Sequence, residues 1–394
     1  MKVSGSITVA AGSSTLRDTL AAVDEALAPI VAKLGANADV ALVFVTPDHA
    51  PRAQELLDRV HEALAPDTVA GSTASGIVGG GHERQTGPGV SIWAARIPGA
   101  RVQAFHLELE AREEGGVVRG WRDVGAEASC VLLVDPFSFP LDPFLASLRK
   151  QGKLPGIVGG LASGAVRPGD NRLFVDEQVH EEGAAGIVMD GAARFLPVLS
   201  QGCRPVGEPL VVTRSDRQVI YELNGEPAYE RLGAAMKGLE SEARRRFAEA
   251  PQIGLRVTPQ GGGHDGGGYL IRGLVGADAR SGALAVGDSV HDGLELRFHS
   301  RDARTAHAEL EGLLELVSAL EQEPAGALLF TCTGRGTHLF DQPDHDAGMV
   351  QHFYPGLPVA GMFAGGEIGP ICGQPFLHGF SASMAFLVAN PTPE

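Results

Sequence analysis

Hydrophobic residues in the first part of the chain follow two different periods in turn. An apolar series with spacings of three and four residues runs from Leu16 to Val31, directly after Ser14. This spacing predicts an amphipathic helix with Ser14 as its N-cap. The uninterrupted apolar run 41–45 is short enough to be a buried strand, and a second helical series covers residues 56–64. The pattern therefore predicts strands that alternate with helices.

The same order of elements returns after residue 300. A helical series, the apolar run 327–331 and a last strand from Ser381 follow one another there. Two of the intervals agree residue for residue. Ser14 to Val43 and Ser300 to Leu329 are both 29 residues, and Gly71 to Ser91 and Gly361 to Ser381 are both 20. The remaining interval, Val43 to Gly71 in the first copy and Leu329 to Gly361 in the last, differs by one small insertion. The agreement predicts an internal duplication.

A partial third copy lies between these two. The run 130–136 leads to a short helix and then to a glycine turn, and Leu132 to Gly160 spans 28 residues, as Val43 to Gly71 does. The common core is strand, helix, strand and glycine turn. Because each helix returns the chain to the next strand, we expect neighbouring strands to be parallel with right-handed crossovers. The predicted fold class is α/β, with internally duplicated β-α-β-α-β units.

Residues 204–300 have a different pattern. Short β-like runs are separated by glycine-rich turns and interrupted by one predicted helix, 228–250. This predicts an intervening antiparallel β module, which makes the middle of the protein α+β. We read the glycine-rich run 261–268 as a surface loop or lid. The predicted regions are an N-terminal α/β region at 1–200 and a C-terminal region at 201–394, the latter divided into a β-rich module (201–300) and a second α/β copy (301–394).

Composition narrows the classes of partner. The chain has 394 residues, 53 of them glycine, and a formal net charge of −16 without any basic run. Such a surface repels phosphate backbones and anionic lipids, so we expect neither nucleic-acid nor membrane partners. No apolar run reaches the length of a membrane span, and the first residues lack the pattern of a signal peptide. Four widely spaced cysteines suit a cytoplasmic protein with reduced thiols. We predict no metal and no cofactor; a homodimer is compatible with this size.

Candidate chemistry concentrates in the last copy. The three equivalent strands end at Thr46, Asp135 and Cys332, and ligands collect at the carboxyl ends of parallel strands. Only the last copy surrounds this point with a thiol, hydroxyl, guanidinium, carboxyl and imidazole group. The predicted ligand-binding residues are Cys332, Thr333, Gly334, Arg335, Gly336, Gly366, Glu367 and His378.

Arg335 and Cys332 each have two readings. A guanidinium between two glycines can bind a carboxylate or phosphate with two hydrogen bonds, but it can also form a structural ion pair with Glu367. A thiol beside a cation can have a lowered pKa, yet a cysteine that ends an apolar strand is commonly a small buried hydrophobic residue. The histidines and aspartates between 338 and 352 match no standard metal spacing, so we read them as a solvated loop. The glycines of 79–83 resemble a phosphate loop only in composition, because no helix follows them.

Six segments together resemble the FIST family (F-box and intracellular signal transduction). They are VAGSTASGIVGGGHE, QGCRPVGEPLVVT, VIYELNGEPAYERL, LLFTCTGRGTHLF, VAGMFAGGEIGP and LHGFSASMAF. The resemblance covers nearly the whole chain and implies FIST N and FIST C regions and a role as a sensor of small molecules such as amino acids. Relatives in animals and plants carry an F-box ahead of this unit; here the FIST-like sequence begins at once, so no ubiquitin-ligase role is implied.

We therefore carry three hypotheses. The first is a sensory protein that binds a small carboxylate at Arg335 and glycine-turn amides, with an amino group met by Glu367, and passes its state to a downstream signalling protein. The second is an enzyme in which Cys332 is the nucleophile, His378 the base and Arg335 the substrate anchor. The third is a scaffold whose acidic surface binds partner proteins.

Overall fold

Three sheets of mixed strands and one antiparallel barrel make up the protein. The structure is a computed structural model that describes residues 6–112, 115–122, 124–152, 154–258, 268–320 and 322–391. Its mixture of helices and strands, arranged in several sheets, confirms the predicted α/β class with an α+β middle. Among the described residues, no helix is long and apolar enough to cross a membrane.

The first repeat covers residues 8–96. Its elements are β1 (Thr8–Ser14), α1 (Thr19–Leu34), β2 (Val40–Val45), α2 (Ala53–Leu64), β3 (Val69–Thr73), β4 (Ile77–Gly79), β5 (His82–Arg84) and β6 (Val90–Arg96), with a 3-10 helix at Pro47–Arg52. The prediction that Ser14 caps the first helix is wrong. Ser14 ends β1, and α1 begins after Asp18, whose carboxylate accepts a hydrogen bond from the Ala21 N–H group.

The second repeat covers residues 100–191, and the third begins directly after it. The elements are β7 (Ala100–Arg112), β8 (Gly115–Arg119), β9 (Ser129–Val134), α3 (Leu141–Gln151), β10 (Gly156–Leu161), β11 (Leu173–Val175), β12 (Gln178–His180), β13 (Ala184–Gly191) and β14 (Ala193–Ser200). The partial copy that the sequence indicated is thus a full repeat with its own sheet, which brings the number of repeats to three.

The β-rich module interrupts the third repeat after β14. It contains β15 (Cys203–Asp216), β16 (Val219–Leu223), β17 (Glu226–Pro227), α4 (Ala228–Lys237), α5 (Ser241–Glu249), β18 (Gln252–Val257), β19 (Gly268–Asp278), β20 (Ala283–Val286) and β21 (Glu295–Arg301). The single helix predicted at 228–250 is wrong, since α4 ends at Gly238 and α5 begins after Glu240. Of the predicted glycine loop 261–268, residues 261–267 lie outside the described residues.

The strands of this module close into an antiparallel barrel. β15 pairs with β21 through its first half and with β16 through its second half, so the order β15-β21-β18-β19-β20-β16 returns to its start. Apolar side chains such as Val212, Leu284 and Phe298 fill the interior, and Leu232 of α4 and Phe247 of α5 pack against them. The module therefore has a hydrophobic core of its own.

The third repeat resumes at residue 303. Its remaining elements are α6 (Ala303–Ser318), β22 (Gly326–Cys332), α7 (His345–Phe353), β23 (Val359–Ala364), β24 (Glu367–Ile371), β25 (Gln374–His378) and β26 (Ala382–Ala389), with a 3-10 helix at Gly336–His338. By contacts, the chain divides into two compact units. One consists of Met1–Leu199, Leu313–Pro370 and Gln374–Glu394, and the other of Ser200–Gly312 and Ile371–Gly373.

The three repeats build sheets with the same strand order. In each sheet one parallel pair lies at the centre, an antiparallel strand and an edge strand flank it on one side, and a β-hairpin flanks it on the other. The orders are β1-β6-β2-β3-β11-β12, β8-β7-β13-β9-β10-β24-β25 and β14-β26-β22-β23-β4-β5, so the second sheet has β8 as one additional strand beyond β7. The parallel pairs are β2–β3, β9–β10 and β22–β23, as predicted.

The hairpins are exchanged between the repeats. The hairpin β4–β5 leaves the first repeat and pairs with β23 of the third. The hairpin β11–β12 of the second repeat pairs with β3 of the first, and β24–β25 of the third repeat pairs with β10 of the second. Each repeat thus completes the sheet of another, and the exchange runs once around all three.

A glycine marks the same close approach in every parallel pair. A Cβ added to Gly71, Gly159 or Gly361 would lie 2.1, 2.0 or 1.8 Å from the carbonyl oxygen of its partner on the neighbouring strand. The partners are Val43, Leu132 and Leu329 respectively. Gly159, one residue before the predicted Gly160, is therefore the true counterpart of Gly71. With this correction all three turns read G-x-x-A-[SG]-G.

These glycine turns contact one another. The N–H group of Ser75 donates to the Ser163 hydroxyl at 2.9 Å, and that hydroxyl donates to the carbonyl oxygen of Phe363. The N–H group of Gly365, the third equivalent, donates to the carbonyl oxygen of Leu161 at 3.0 Å. The small residues of the turns let three main chains meet at one point.

The central strands are apolar on both faces because both faces are buried. Leu42 and Phe44 of β2, with their counterparts on β9 and β22, enter one core that the three sheets share. Val43 and Val45 face the other way and pack against α1 and α2. The alternation of a strand explains how one apolar run serves two cores.

Candidate functional site

Cys332 ends the central strand of the third sheet. The strand ends of the three repeats are equivalent, since each strand-end N–H group donates to the carbonyl oxygen of the matching residue before the antiparallel strand. The pairs are Thr46–Gly89 and Asp135–Gly183 at 2.9 Å and Cys332–Ser381 at 3.0 Å. All three strand ends are buried. The fold therefore offers the same place three times, with different chemistry at each.

In the third repeat this place holds a thiol and a carboxyl group side by side. Glu367 is fully buried, and its Oε2 accepts hydrogen bonds from the Ser381 N–H group at 3.0 Å and from the Ser381 hydroxyl at 2.7 Å. The Cys332 thiol lies beside the same carboxyl group, and each of the two groups influences the pKa of the other. Oε1 of Glu367 has no hydrogen-bond partner among the described residues.

Burial governs the ionisation of both groups. Burial raises the pKa of Glu367 to about 8, against the opposing effect of the Ser381 hydrogen bonds. Burial and the neighbouring Glu367 charge raise the pKa of the Cys332 thiol to about 12, although the N–H groups of Gly334 and Phe380 donate to the sulfur. Near neutral pH the pair is therefore largely a carboxylic acid and a thiol.

Glu367 stands where the other repeats have aliphatic residues. Glu367 pairs with Gly160, the residue after Gly159, just as Ile77 pairs with Met362 and Leu173 pairs with Ser72. Ile77 and Leu173 are buried hydrophobic residues. The fold accepts a hydrocarbon at this position, so it does not need the carboxyl group.

Arg335 is part of a buried ion pair with Asp346. Its Nε and one terminal nitrogen donate to the two carboxylate oxygens of Asp346 at 2.7 Å each, and both side chains are fully buried. Another terminal nitrogen lies 3.4 Å from the Phe380 carbonyl oxygen. The alternative of an ion pair with Glu367 is thus corrected: the partner is Asp346. A ligand carboxylate would have to compete with this two-point contact.

Further groups hold the ion pair in place. The Thr331 hydroxyl donates to Asp346 at 2.6 Å, and Nδ1 of His345 lies 2.9 Å from it. The Phe340 ring lies 5.2 Å from the guanidinium carbon and stacks on His345. Burial alone would raise the pKa of Asp346, but the Arg335 charge and these hydrogen bonds hold it well below its ordinary value. The guanidinium is therefore fixed in one orientation.

Phe380 contacts both the thiol and the glycine turn. Its N–H group donates to the Cys332 sulfur at 3.1 Å, its backbone has a φ of +60°, and its ring is 48% exposed. A Cβ on Gly334 would lie 2.6 Å from this ring, and one on Gly336 would lie 2.4 Å from Gln85. These two glycines thus make room for side chains that close over the turn.

The other predicted site residues lie close along the chain but have structural contacts. Thr333 donates its N–H group to Ala364, and the Gly366 carbonyl oxygen accepts from Leu161 at 2.8 Å. His378 is buried at the end of β25, with Nε2 3.1 Å from the Gly369 carbonyl oxygen. The ionisable group that lies beside the Cys332 thiol is the carboxyl group of Glu367, in the place that the enzyme hypothesis gave to His378.

The prediction that the histidines and aspartates of 338–352 form a solvated loop is wrong, because His345–Phe353 form α7 and two of the aspartates make contacts between elements. Asp346 binds Arg335, and Asp344 accepts a hydrogen bond from the Glu83 N–H group and lies 3.0 Å from His82. Across the part of the chain that the structure describes, no group of three or more His, Cys, Asp or Glu side chains could hold a metal ion.

Sequence reasoning missed Asp346, Ser381 and Phe380. Nothing in the spacing of the acidic residues at 338–352 connects Asp346 with Arg335. Ser381 begins the last strand and was used only as a landmark. One signal was available: the equivalent positions, Gly89 and Gly183, lack a side chain, so a serine at this place is an addition.

Two family models match the chain, the FIST N domain over residues 39–226 and the FIST C domain over residues 228–370. An uncharacterized protein of Mycobacterium tuberculosis (strain H37Rv) is 40% identical over 385 residues, which cover 96% of this chain and 99% of that protein. An uncharacterized protein of Mycobacterium bovis is 38% identical over 385 residues, 96% of this chain and 98% of that protein.

Proposed function

Because the chain belongs to the FIST family, whose domains serve as sensory domains in signal transduction, we propose that it binds a small amino-group-bearing carboxylate, such as an amino acid, beside Glu367. The family assignment agrees with the resemblance found in the sequence. The ligand class and the place of binding are the proposal, and a downstream protein would receive the signal.

One observation carries this proposal. Oε1 of the fully buried Glu367 has no hydrogen-bond partner among the described residues. The two equivalent positions hold the hydrophobic residues Ile77 and Leu173. Leaving a buried polar atom without a strong partner costs about 1–3 kcal/mol. A carboxyl group that the fold does not require and does not fully satisfy is therefore a good candidate for contact with a ligand.

The chemistry of the ligand follows from the charges around it. An ammonium group placed against Oε1 would favour the ionised carboxylate, so binding would displace the proton that Glu367 holds. We assign the ligand carboxylate to the glycine turn 333–336 instead of Arg335, because Asp346 occupies that guanidinium. A ligand from solvent would pass the exposed ring of Phe380.

A thermal-shift screen of amino acids and organic acids tests this function. We expect at least one amino acid to raise the melting temperature, and Glu367→Gln and Glu367→Leu to abolish that rise. Calorimetry in two buffers of different ionisation enthalpy should show proton release on binding at pH 7. The absence of any stabilising compound, or a hit that both variants leave unchanged, would refute the proposal.

A catalytic role is the second candidate, because the Cys332 thiol lies beside a carboxyl group with a raised pKa. Ionised Glu367 could accept the thiol proton and would then be the general base, the role for which the sequence suggested His378. The raised pKa of Cys332 opposes this role at neutral pH.

Iodoacetamide labelling at pH 7.5, followed by peptide mass spectrometry, separates the two candidates. We expect Cys332 to react at least tenfold more slowly than the half-buried Cys203 and Cys372, since a buried thiol with a pKa of about 12 holds little thiolate. Faster labelling at Cys332 than at these internal controls would favour the enzyme. Within the described residues none of the four cysteines is in a disulfide, which supports our proposal that the protein lies in the reducing cytoplasm.

A further inference from the structure

The barrel module has a cavity of its own. It measures about 350 Å³ and lies where the first residues of β15, the α4–α5 connection and the start of α6 come together. Arg204, Arg246 and Arg304 line it with Thr305, and the apolar part of the wall includes Leu239 and Ala243. Volumes of this size are at the lower end of those of small-molecule sites.

One of the three arginines is already neutralised. Arg246 donates to Glu242 and lies 3.9 Å from Asp302. Asp302 also accepts the N–H group of Thr305 at 2.9 Å, so its carboxylate caps α6. The side chains of Arg204 and Arg304 have no hydrogen bond or ion pair within the ranges that the structure describes.

The local charge is unusual for this chain. Residues 200–312 contain 14 Lys and Arg against 16 Asp and Glu, whereas the whole chain has a net charge of −16. The cavity wall carries three guanidinium groups and three carboxylates, Glu240, Glu242 and Asp302. Arg246 is engaged by Glu242 and Asp302, so Arg204 and Arg304 are the guanidinium groups left without a carboxylate partner there. Two guanidinium groups without a carboxylate partner on one cavity are available to an anion that enters it.

We propose that this cavity binds a small phosphate monoester, with its phosphate group held between Arg204 and Arg304. A phosphate has three terminal oxygens and a charge of about −1.5 to −2 at pH 7, which matches two guanidinium groups. A planar carboxylate is satisfied by one two-point guanidinium contact and would leave the second arginine unused. The apolar wall at Leu239 and Ala243 leaves room for the organic part of the ester.

Calorimetric titration of the full chain tests this site, at constant ionic strength, with inorganic phosphate and phenyl phosphate as probes and benzoate as the monocarboxylate comparison. We expect saturable binding of one equivalent, with phenyl phosphate bound more tightly than inorganic phosphate and benzoate bound at least tenfold more weakly than phenyl phosphate. Arg204→Gln and Arg304→Gln should each weaken binding at least tenfold. Arg280→Gln, at an exposed arginine on the β19–β20 connection, should change nothing.

Three results would overturn the proposal: no saturable binding of either phosphate probe, binding that survives both glutamine substitutions, or benzoate binding as tight as that of phenyl phosphate. Arg204 and Arg304 are exposed, so their glutamine variants should fold, and circular dichroism of each variant checks this. Because no residue of this cavity belongs to the Glu367 site, loss of one binding activity does not entail loss of the other.

Discussion

Glu367 is a buried acid at a position where the same fold twice uses a hydrocarbon. Its pKa rises from an ordinary value of 4.5 to about 8, so between these values the folded protein keeps a proton that the unfolded chain releases. This contribution to stability is complete at low pH and is lost as the pH rises to about 8. The slope is at most about 1.4 kcal/mol per pH unit for one group.

We therefore predict that the free energy of unfolding, measured by urea denaturation, falls between pH 5.5 and 8. Glu367→Gln should make this profile less steep. Glu83, whose pKa is raised to about 7 chiefly by burial, contributes a fall in the same direction, so Glu83→Gln is the matched comparison. A Glu367→Gln profile as steep as that of the wild type would show that Glu367 is ionised in the folded state.

The Arg335–Asp346 pair should behave as a structural ion pair. Removing one partner of a buried pair leaves an uncompensated charge, which costs about 3–5 kcal/mol. We predict that Asp346→Asn lowers the free energy of unfolding by about this amount, and that the double variant Arg335→Met/Asp346→Leu recovers much of it. Asp24→Asn, which breaks the exposed contact with Arg59, should cost less than about 1 kcal/mol. A loss of similar size at Asp346 and Asp24 would contradict the buried role.

At the scale of elements, local pattern was sufficient for most helices and strands but not for their partners. The apolar run 41–45 predicted β2, and the helical series 56–64 predicted α2. The cap at Ser14 failed because Asp18, four residues later, competes for the same helix start. The hairpin exchange could not be read from sequence, since β4 pairs with a strand almost 300 residues away. The pairing of Cys332 with Glu367 was unpredictable for the same reason. The spacing put both residues near one turn, but their contact depends on β24, which belongs to an exchanged hairpin.

The glycine at each parallel pair gives an element-scale prediction. Gly159→Ala should lower stability by several kcal/mol or prevent folding, because its Cβ would lie 2.0 Å from the Leu132 carbonyl oxygen and its φ is +141°. Gly156, three residues earlier on β10, has open space around its Cβ position and a φ outside the left-handed region. Gly156→Ala should therefore stay within about 1 kcal/mol of the wild type in urea denaturation. Equal effects at the two positions would mean that close approach does not determine the glycine.

At the scale of the whole molecule, the exchanged hairpins should make the three repeats interdependent. Without residues 313–394, β10 lacks its partner β24, and β4 lacks β23. Unpaired sheet edges of this kind cost hydrogen bonds and promote aggregation. The barrel differs, since its strands close on themselves around their own core.

We therefore predict that residues 1–200 expressed alone form no cooperatively folded protein, although they match the predicted N-terminal region. Residues 200–312 expressed alone should unfold in a single cooperative transition and provide the control for fragment expression. Co-expression of 1–200 with 201–394 should restore a soluble complex, because it returns both missing strands. The measurements are circular dichroism during urea denaturation and size-exclusion chromatography. A cooperative transition of the isolated 1–200 fragment would show that each repeat carries enough of its own core and that the exchange adds only modest stability.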